Sequence, residues 1–238
     1  MKLLELFSGT KSVGKVAEQL GFEVTSLDMK NADINCDIMN WNYKVYESGY
    51  FDVIWASPPC NTFSNMRKCR IGKHGYTQQS LQNDINNIGL PLLRRTEEII
   101  DYLKPKYYFI ENPQTGRMKE YMDKPYYDVD YCKYSNWGYQ KRTRVWTNVM
   151  GFSPQVRRRD CENMVGTRHR INLASNHYVK DGDKIIAVCT QELRERYKGI
   201  ERIQSMKIPN SLKDRYRIPP KLIEELFNCI PMIANLTK

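Results

Sequence analysis

A cysteine just past an apolar run is the residue in this chain best placed to do chemistry. Residues 51–56 are apolar enough for a buried parallel strand, and Pro58 and Pro59 end that strand abruptly. Cys60 therefore follows the carboxyl end of the predicted strand, where α/β proteins bind ligands. A thiol on such a turn is positioned like an enzyme nucleophile, although many cysteines are only small buried hydrophobic residues.

A glutamate occupies the same kind of position after a second apolar run. Residues 90–103 have helical periodicity, Pro105 ends that helix, and residues 107–110 predict a strand that leads into Glu111. If the two strands are neighbours, Glu111 meets Cys60. A carboxyl group beside a nucleophile can donate as well as accept a proton.

A basic strand is predicted over residues 139–146, where polar residues alternate with apolar or aromatic ones. Alternation places Gln140, Arg142 and Arg144 on one face. Because two neighbouring arginines repel each other, we expect an anion between them. A solvent-exposed basic strand is the alternative.

The first part of the chain predicts a nucleoside site. A strand over 3–7, a glycine-bearing turn over 8–12 and a helix over 13–20 bring backbone N–H groups to a strand end. The next strand, 23–27, ends at Asp28, which can accept hydrogen bonds from two ribose hydroxyls or can merely cap the strand. Asp37 can bind an adenine amino group or act as a turn residue. Neither a G-x-G-x-x-G nor a Walker spacing is present.

Length and composition bound the class of protein. A chain of 238 residues suits one α/β domain with a small appendage. A net charge of +10 favours a polyanionic partner, although basic surfaces also occur without one. Seven cysteines without close pairs predict neither a disulfide framework nor a zinc knuckle. With no signal-peptide pattern and no apolar run of about 20 residues, we expect an intracellular protein that is neither secreted nor in a membrane.

Two basic segments are candidate nucleic-acid contacts. Residues 65–82 are polar and glycine-bearing, which suits either a mobile phosphate-binding loop or a solvated one. After residue 150 the α/β rhythm is lost until about residue 200, and we interpret this part as a small target-recognition region. Cys161, His169 and His177 lack the paired spacing of a zinc site, so no metal is expected. The predicted contacts are Ser64, Arg67, Lys68, Arg70, Arg157, Arg158, Arg159, Arg168 and Arg170.

These motifs together resemble those of the cytosine-C5 DNA methyltransferases in order and approximate spacing. The resemblance is carried by Glu5-Leu6-Phe7-Ser8-Gly9, Asp28, Asp37-Ile38, Pro59-Cys60, Glu111-Asn112 and Gln140-x-Arg142-x-Arg144. The chain departs from the family pattern at Lys11 and Ser12, where glycines are usual, at Pro113, and at Arg215-Tyr216, where Gly-Asn is usual.

The resemblance implies a fold and a division of the chain. It implies an α/β, Rossmann-like class I methyltransferase with a mixed sheet and helices on both faces. Residues 1–150 and 201–238 would form the catalytic domain, and residues 151–200 the target-recognition region. The implied cofactor is S-adenosyl-L-methionine, held by Phe7, Ser8, Gly9, Thr10, Ser12, Val13, Asp28, Met29, Asp37, Ile38 and Pro58.

It also implies a reaction on double-stranded DNA, with RNA as a possible substrate. Cys60 would attack C6 of a cytosine flipped out of the helix, and Glu111 would hold and protonate N3. Arg142 and Arg144 would bind the cytosine O2 or a phosphate and help to keep Cys60 ionised, while Gln140 would contact the nucleic acid. We expect a monomer, which could serve a restriction-modification system or act in the host cell of a virus or phage.

Three other interpretations stay open. Ser57-Pro58-Pro59 resembles the Ser/Asp-Pro-Pro motif of amino-directed methyltransferases, which would make N4-methylcytosine. A tRNA-directed enzyme of the cytosine-C5 family also fits, because Ser-Pro-Pro-Cys occurs there. A non-catalytic nucleic-acid-binding relative is the third.

Overall fold

A seven-stranded mixed sheet forms the centre of the protein. The computed structural model describes residues 1–156, 160–165, 167–172, 178–188, 190–201 and 216–231. The strands are β1 (Lys2–Leu6), β2 (Glu23–Asp28), β3 (Ile34–Asn35), β4 (Val53–Ala56), β5 (Tyr107–Pro113), β6 (Tyr126–Asp130) and β7 (Arg142–Thr147). Their order is β3-β2-β1-β4-β5-β7-β6; β1 to β5 run parallel, and β7 is antiparallel to both β5 and β6.

Helices cover both faces of this sheet. The described α-helices are α1 (Ser12–Gln19), α2 (Gln78–Asp84), α3 (Leu90–Leu103), α4 (Gln191–Arg196) and α5 (Pro220–Asn228), of which α1, α3 and α5 pack on this sheet. Successive strand residues point to opposite faces, so Val53 and Trp55 pack with α1 and α5, whereas Ile54 packs with α3. The apolar faces of the helices thus bury both sides of the parallel strands, as the Rossmann-like prediction requires.

The strands that precede Cys60 and Glu111 are neighbours. β4 and β5 pair in parallel with Ala56 beside Ile110, and the rings of Trp55 and Phe109 stack with centroids 5.0 Å apart. Such a pair contributes about 0.5–1.5 kcal/mol beyond its buried area. The carboxyl ends of β4 and β5 are therefore fixed side by side, next to that of β1.

The part of the chain after β7 does not follow the α/β pattern. It holds two small antiparallel sheets, β8 (Met164–Val165) with β9 (Arg168–His169) and β10 (Tyr178–Asp181) with β11 (Lys184–Ala187). Small apolar clusters of their own support them. Among the residues described, no helix is both long and apolar enough to cross a bilayer.

Candidate active site

A cavity of about 730 Å³ opens at the carboxyl ends of β1, β4 and β5. Cys60 and Glu111 both line it. So does every residue predicted to hold the cofactor except Val13, which is buried in the core and does not face the cavity: Phe7, Ser8, Gly9, Thr10, Ser12, Asp28, Met29, Asp37, Ile38 and Pro58. This volume lies within the range of about 300–1,000 Å³ that is usual for ligand sites.

The turn between β1 and α1 is held by a buried carboxyl group. Glu5 Oε1 accepts a hydrogen bond from Val13 N at 3.3 Å, and Oε2 accepts one from Gly14 N at 3.0 Å. Glu5 is 3% exposed, and burial raises its pKa to about 7 against the opposing effect of the two backbone donors. Glu5 was not among the predicted site residues, although it lines the cavity and shapes the turn at its edge.

The two predicted nucleoside-binding carboxylates also organise local backbone. Asp28 Oδ2 accepts from Gly9 N at 2.9 Å, and its Oδ1 accepts from Met29 N at 2.7 Å. Asp37 Oδ1 accepts from Met39 N at 2.9 Å. Because each carboxylate oxygen has more than one lone pair, both groups can still accept hydrogen bonds from a ligand in the cavity.

An amide side chain joins the end of β5 to the turn that carries Cys60. Asn112 Nδ2 donates to the carbonyl oxygen of Pro58 at 2.8 Å in a buried hydrogen bond. The thiol of Cys60 and the carboxyl group of Glu111 are thereby presented to one cavity. Asn112 belongs to the Glu111-Asn112 motif but was not predicted as a site residue.

Glu111 lies among a phenol and an ammonium group. Tyr131 Oη donates to Glu111 Oε1 at 3.0 Å, and Lys141 Nζ lies 3.6 Å from the same oxygen. The Lys141 side chain is 16% exposed and lines the cavity. Lys141 is thus the cation nearest to the predicted acid, and sequence alternation could have found it on the strand face opposite to the two arginines.

The surroundings of Cys60 favour the neutral thiol. Burial raises the pKa of Cys60, the negative charge of Glu111 raises it further, and the positive charge of Lys141 lowers it. Since the net shift is upward, the resting cysteine is protonated near neutral pH.

Arg142 and Arg144 lie on one face of β7, as the alternation predicted, but they are not the cations that act on Cys60. Arg142 Nη2 lies 2.6 Å from Asp130 Oδ2, and Arg144 binds both carboxylate oxygens of Asp128 at 2.8 and 2.9 Å. Neither arginine lines the cavity; the β5–β7 register puts Val145 opposite Glu111. The expectation that they keep Cys60 ionised is therefore corrected: the anions beside them are carboxylates of β6, and the cation beside Cys60 is Lys141.

Some of the predicted nucleic-acid contacts already bind other groups of the protein, and others have exposed side chains. Arg67 pairs with Asp84 at 3.0 Å, Gln140 Nε2 donates to Asp130 Oδ1 at 3.2 Å, and Arg170 donates to the carbonyl oxygen of Asn136. Ser64 Oγ accepts from Met66 N at 3.3 Å and caps the short helical turn Asn65–Arg70. The side chains of Lys68, Arg70 and Arg168 are exposed, and Arg157, Arg158 and Arg159 lie outside the described residues.

Comparison with known proteins assigns the chain to a family. The sequence profile described as "C-5 cytosine-specific DNA methylase" matches residues 1–226. The Frog virus 3 protein named "Probable DNA (cytosine-5)-methyltransferase" is 42% identical over 233 residues, which are 96% of this chain and 99% of that protein. The chain belongs to the C-5 cytosine-specific DNA methylase family. The predictions of family and enzyme class are therefore confirmed.

A solved methyltransferase structure shares the fold of this methylase. The Entamoeba histolytica methyltransferase EhMeth is 14% identical with a TM-score of 0.53, over 100% of this chain and 99% of its own. Spodoptera frugiperda DNMT2 is 17% identical with a TM-score of 0.41, over 66% of this chain and only 53% of its own. The likeness to EhMeth, together with the mixed sheet, confirms the predicted Rossmann-like fold.

The cavity fits S-adenosylmethionine, the methyl donor that membership of this family establishes. Ser8 Oγ and Asn112 Oδ1 line the cavity and are buried, and neither has a hydrogen-bond partner within the described part of the chain. Such atoms cost about 1–3 kcal/mol each unless a ligand or water satisfies them. Lys11, where the family usually has glycine, adopts the left-handed φ of 52° that glycine would favour, and Tyr216, where the family usually has asparagine, lines the cavity.

Proposed function

We propose that this methylase transfers a methyl group to C5 of cytosine in double-stranded DNA through a covalent adduct between Cys60 and C6. The observation that carries the proposal is the shared cavity, in which Cys60 and Glu111 lie beside the predicted cofactor residues. A thiol, an acid and a methyl donor are needed together because cytosine C5 is a poor nucleophile.

Cys60 and Glu111 together activate the cytosine ring. As the sulfur of Cys60 bonds to C6, its thiol proton passes to the carboxylate of Glu111, which donates it to N3 of the cytosine. The adduct makes C5 nucleophilic toward the methyl group that S-adenosylmethionine supplies when bound. Loss of the C5 proton to water then breaks the bond between C6 and sulfur and restores the aromatic ring, and the N3 proton returns through Glu111 to the Cys60 sulfur.

The charges around Cys60 support this order of events. The thiol stays neutral while Glu111 is negatively charged, so it is protected until a base occupies the cavity. Once Glu111 hydrogen-bonds to the base, its carboxylate raises the pKa of Cys60 less, and the lowering effect of Lys141 on that pKa becomes the larger one. We assign to Lys141 the role first given to Arg142 and Arg144, and we keep Arg142, whose side chain is partly exposed, as a candidate phosphate contact.

Reaching C6 requires that the cytosine leave the base stack, at a cost of a few kcal/mol. We assign closure over the flipped base to residues 65–82, where Lys68 and Arg70 present exposed cations that suit phosphates. The region 151–200 is our candidate for reading the sequence, with Arg168 exposed on β9. We expect the protein to act as a monomer inside cells, and the Frog virus 3 relative supports action in the host cell of a virus.

Bisulfite sequencing of DNA after incubation with the protein and S-adenosylmethionine tests activity, base and sequence context at once. Cys60→Ser should abolish methylation and still bind the cofactor, whereas Cys229→Ser, at a partly exposed cysteine that does not line the cavity, should methylate normally. DNA that contains 5-fluorocytosine should form a denaturant-resistant adduct, because fluorine cannot leave as the proton does. Methylation by Cys60→Ser at a near wild-type rate would remove Cys60 from the mechanism.

Two further measurements separate the alternatives. Mass spectrometry of the product distinguishes 5-methylcytosine from N4-methylcytosine, and a labelled donor offered with tRNA beside DNA identifies the preferred nucleic acid. A dissociation constant for S-adenosylmethionine well above millimolar would instead indicate a non-catalytic relative.

A further inference from the structure

Two cysteines and a histidine meet where the region after β7 contacts the catalytic sheet. The ligand atoms of Cys132, Cys161 and His169 all lie within 4.8 Å of one another. Cys161 Sγ is 3.2 Å from His169 Nε2. Cys132 and Cys161 are 4% and 8% exposed, and His169 is half-buried. None of the three lines the active-site cavity.

The sequence did not predict this cluster. Cys161 and His169 were considered there with His177, which lies outside the described residues, and no metal was expected. Cys132 is far upstream and has no paired spacing with either residue, so only the fold brings it to them.

The donor set is that of a zinc site. Two thiolates and a neutral imidazole are ligands that Zn²⁺ prefers, at about 2.3 Å for sulfur and about 2.0–2.1 Å for nitrogen. Those bond lengths set tetrahedral ligands about 3.4–3.8 Å apart, a spacing that the cluster reaches with small side-chain shifts. Two thiolates also neutralise the dication, so the complex is buried without net charge.

The backbone around the cluster is already fixed by other contacts. Cys132 lies in the short helical turn Tyr131–Lys133 that follows β6, and His169 lies in β9. Asn163 Nδ2 donates to the carbonyl oxygens of Cys132 at 3.1 Å and Ser135 at 2.8 Å, and Asn163 Oδ1 accepts from Gly138 N at 2.8 Å. A metal would therefore meet preorganised ligands.

We propose that Cys132, Cys161 and His169 bind one zinc ion, with water as the fourth ligand. Binding releases the two thiol protons and joins His169 Nε2 to the metal. The ion then clamps the region after β7 onto the turn that contains Tyr131, whose hydroxyl bonds to Glu111. The role is structural, and it does not depend on the proposed methyl transfer.

The test is the metal content of the untagged full-length protein, purified under reducing conditions without chelator. Inductively coupled plasma mass spectrometry should find about one zinc ion per chain in the wild type and in Cys69→Ser. The Cys161→Ser and His169→Gln variants should contain much less zinc. Protein reloaded with Co²⁺ should show thiolate-to-cobalt charge-transfer absorption that Cys161→Ser weakens. A chelator should lower the Tm of the wild type and leave that of His169→Gln unchanged.

Several results would overturn the proposal. Wild-type protein that holds no zinc after dialysis against zinc chloride and washing would do so, as would equal loss of zinc in Cys69→Ser. An intact mass lower by two hydrogens, with Cys132 and Cys161 joined in the mapped peptides, would replace the metal by a disulfide. Should Cys161→Ser fail to fold, His169→Gln decides, because its half-buried side chain can be changed with less disturbance of the core.

Discussion

Removing the predicted acid should make the predicted nucleophile more reactive. The negative charge of Glu111 raises the pKa of Cys60, so Glu111→Gln should lower that pKa while it abolishes methyl transfer. Lys141 lowers the pKa of Cys60, so Lys141→Gln should raise it. Glu111→Gln keeps the shape of the native side chain, Lys141→Gln shortens it, and the two variants differ in the sign of the charge removed.

The size of the effect follows from the geometry. A charged group within about 4–6 Å shifts a pKa by about 1–3 units. Lys141 Nζ, 3.6 Å from Glu111 Oε1, offsets part of the carboxylate field, so we expect the change toward the lower end of that range. For each tenfold rise in the thiolate fraction, alkylation should accelerate only about three- to fourfold, because the nucleophilicity of a thiolate falls with its pKa.

The assay is the rate of iodoacetamide labelling of Cys60 near neutral pH, followed by peptide mass spectrometry that separates it from the other cysteines. Labelling should be faster than wild type in Glu111→Gln and slower in Lys141→Gln, about tenfold apart in all. Cys69, an exposed cysteine, is the internal control and should label equally in all three proteins. Equal or slower labelling of Cys60 in Glu111→Gln would refute the electrostatic coupling.

Three other perturbations test the cofactor turn, the packing beside Cys60 and the ribose site. Glu5 has a pKa of about 7 in the folded protein against 4.5 for the free group, so the folded state loses stability as the pH rises through this range. Urea denaturation should show that the free energy of unfolding falls by about 2–3 kcal/mol between about pH 5 and 8, and Glu5→Gln should not show this fall. Gly89 has helical φ, yet an added Cβ would lie 2.8 Å from the Phe63 ring, so Gly89→Ala should destabilise the protein by about 1–3 kcal/mol and slow methylation. Asp28→Asn should weaken S-adenosylmethionine binding about tenfold by calorimetry, while Asp123→Asn, at an exposed residue, should not.

Local sequence signals were sufficient for the frame of the site. The helix predicted over 90–103 is observed as Leu90–Leu103, because its apolar period and the Pro105 break are properties of the chain itself. The strands before Cys60 and Glu111 were predicted from short apolar runs, and parallel strands place their carboxyl ends at one edge of the sheet. The residues that the resemblance implied for the cofactor mostly lie in turns at that edge, and all of them except Val13 line the cavity.

Contacts between distant segments were not predictable in this way. Asp128 and Asp130 lie in β6, which became the edge strand beside β7, and no local pattern announced that pairing. The same holds for Cys132, which meets Cys161 only because the later region folds back onto the turn after β6. Each of these contacts depends on which strands become neighbours.

The two faces of β7 show how one register decides a chemical role. Alternation correctly grouped Arg142 with Arg144, but it could not say which face of the strand would meet Glu111. With Glu111 opposite Val145, the arginine face turns toward the carboxylates of β6, and Lys141 falls on the side of the cavity. A shift of one residue would exchange the two faces and put the arginines on the face of β7 that Glu111 shares. The pairing of β5 with β7 therefore decides that the ammonium group of Lys141, and neither guanidinium group, lowers the pKa of Cys60 against the upward effects of burial and Glu111.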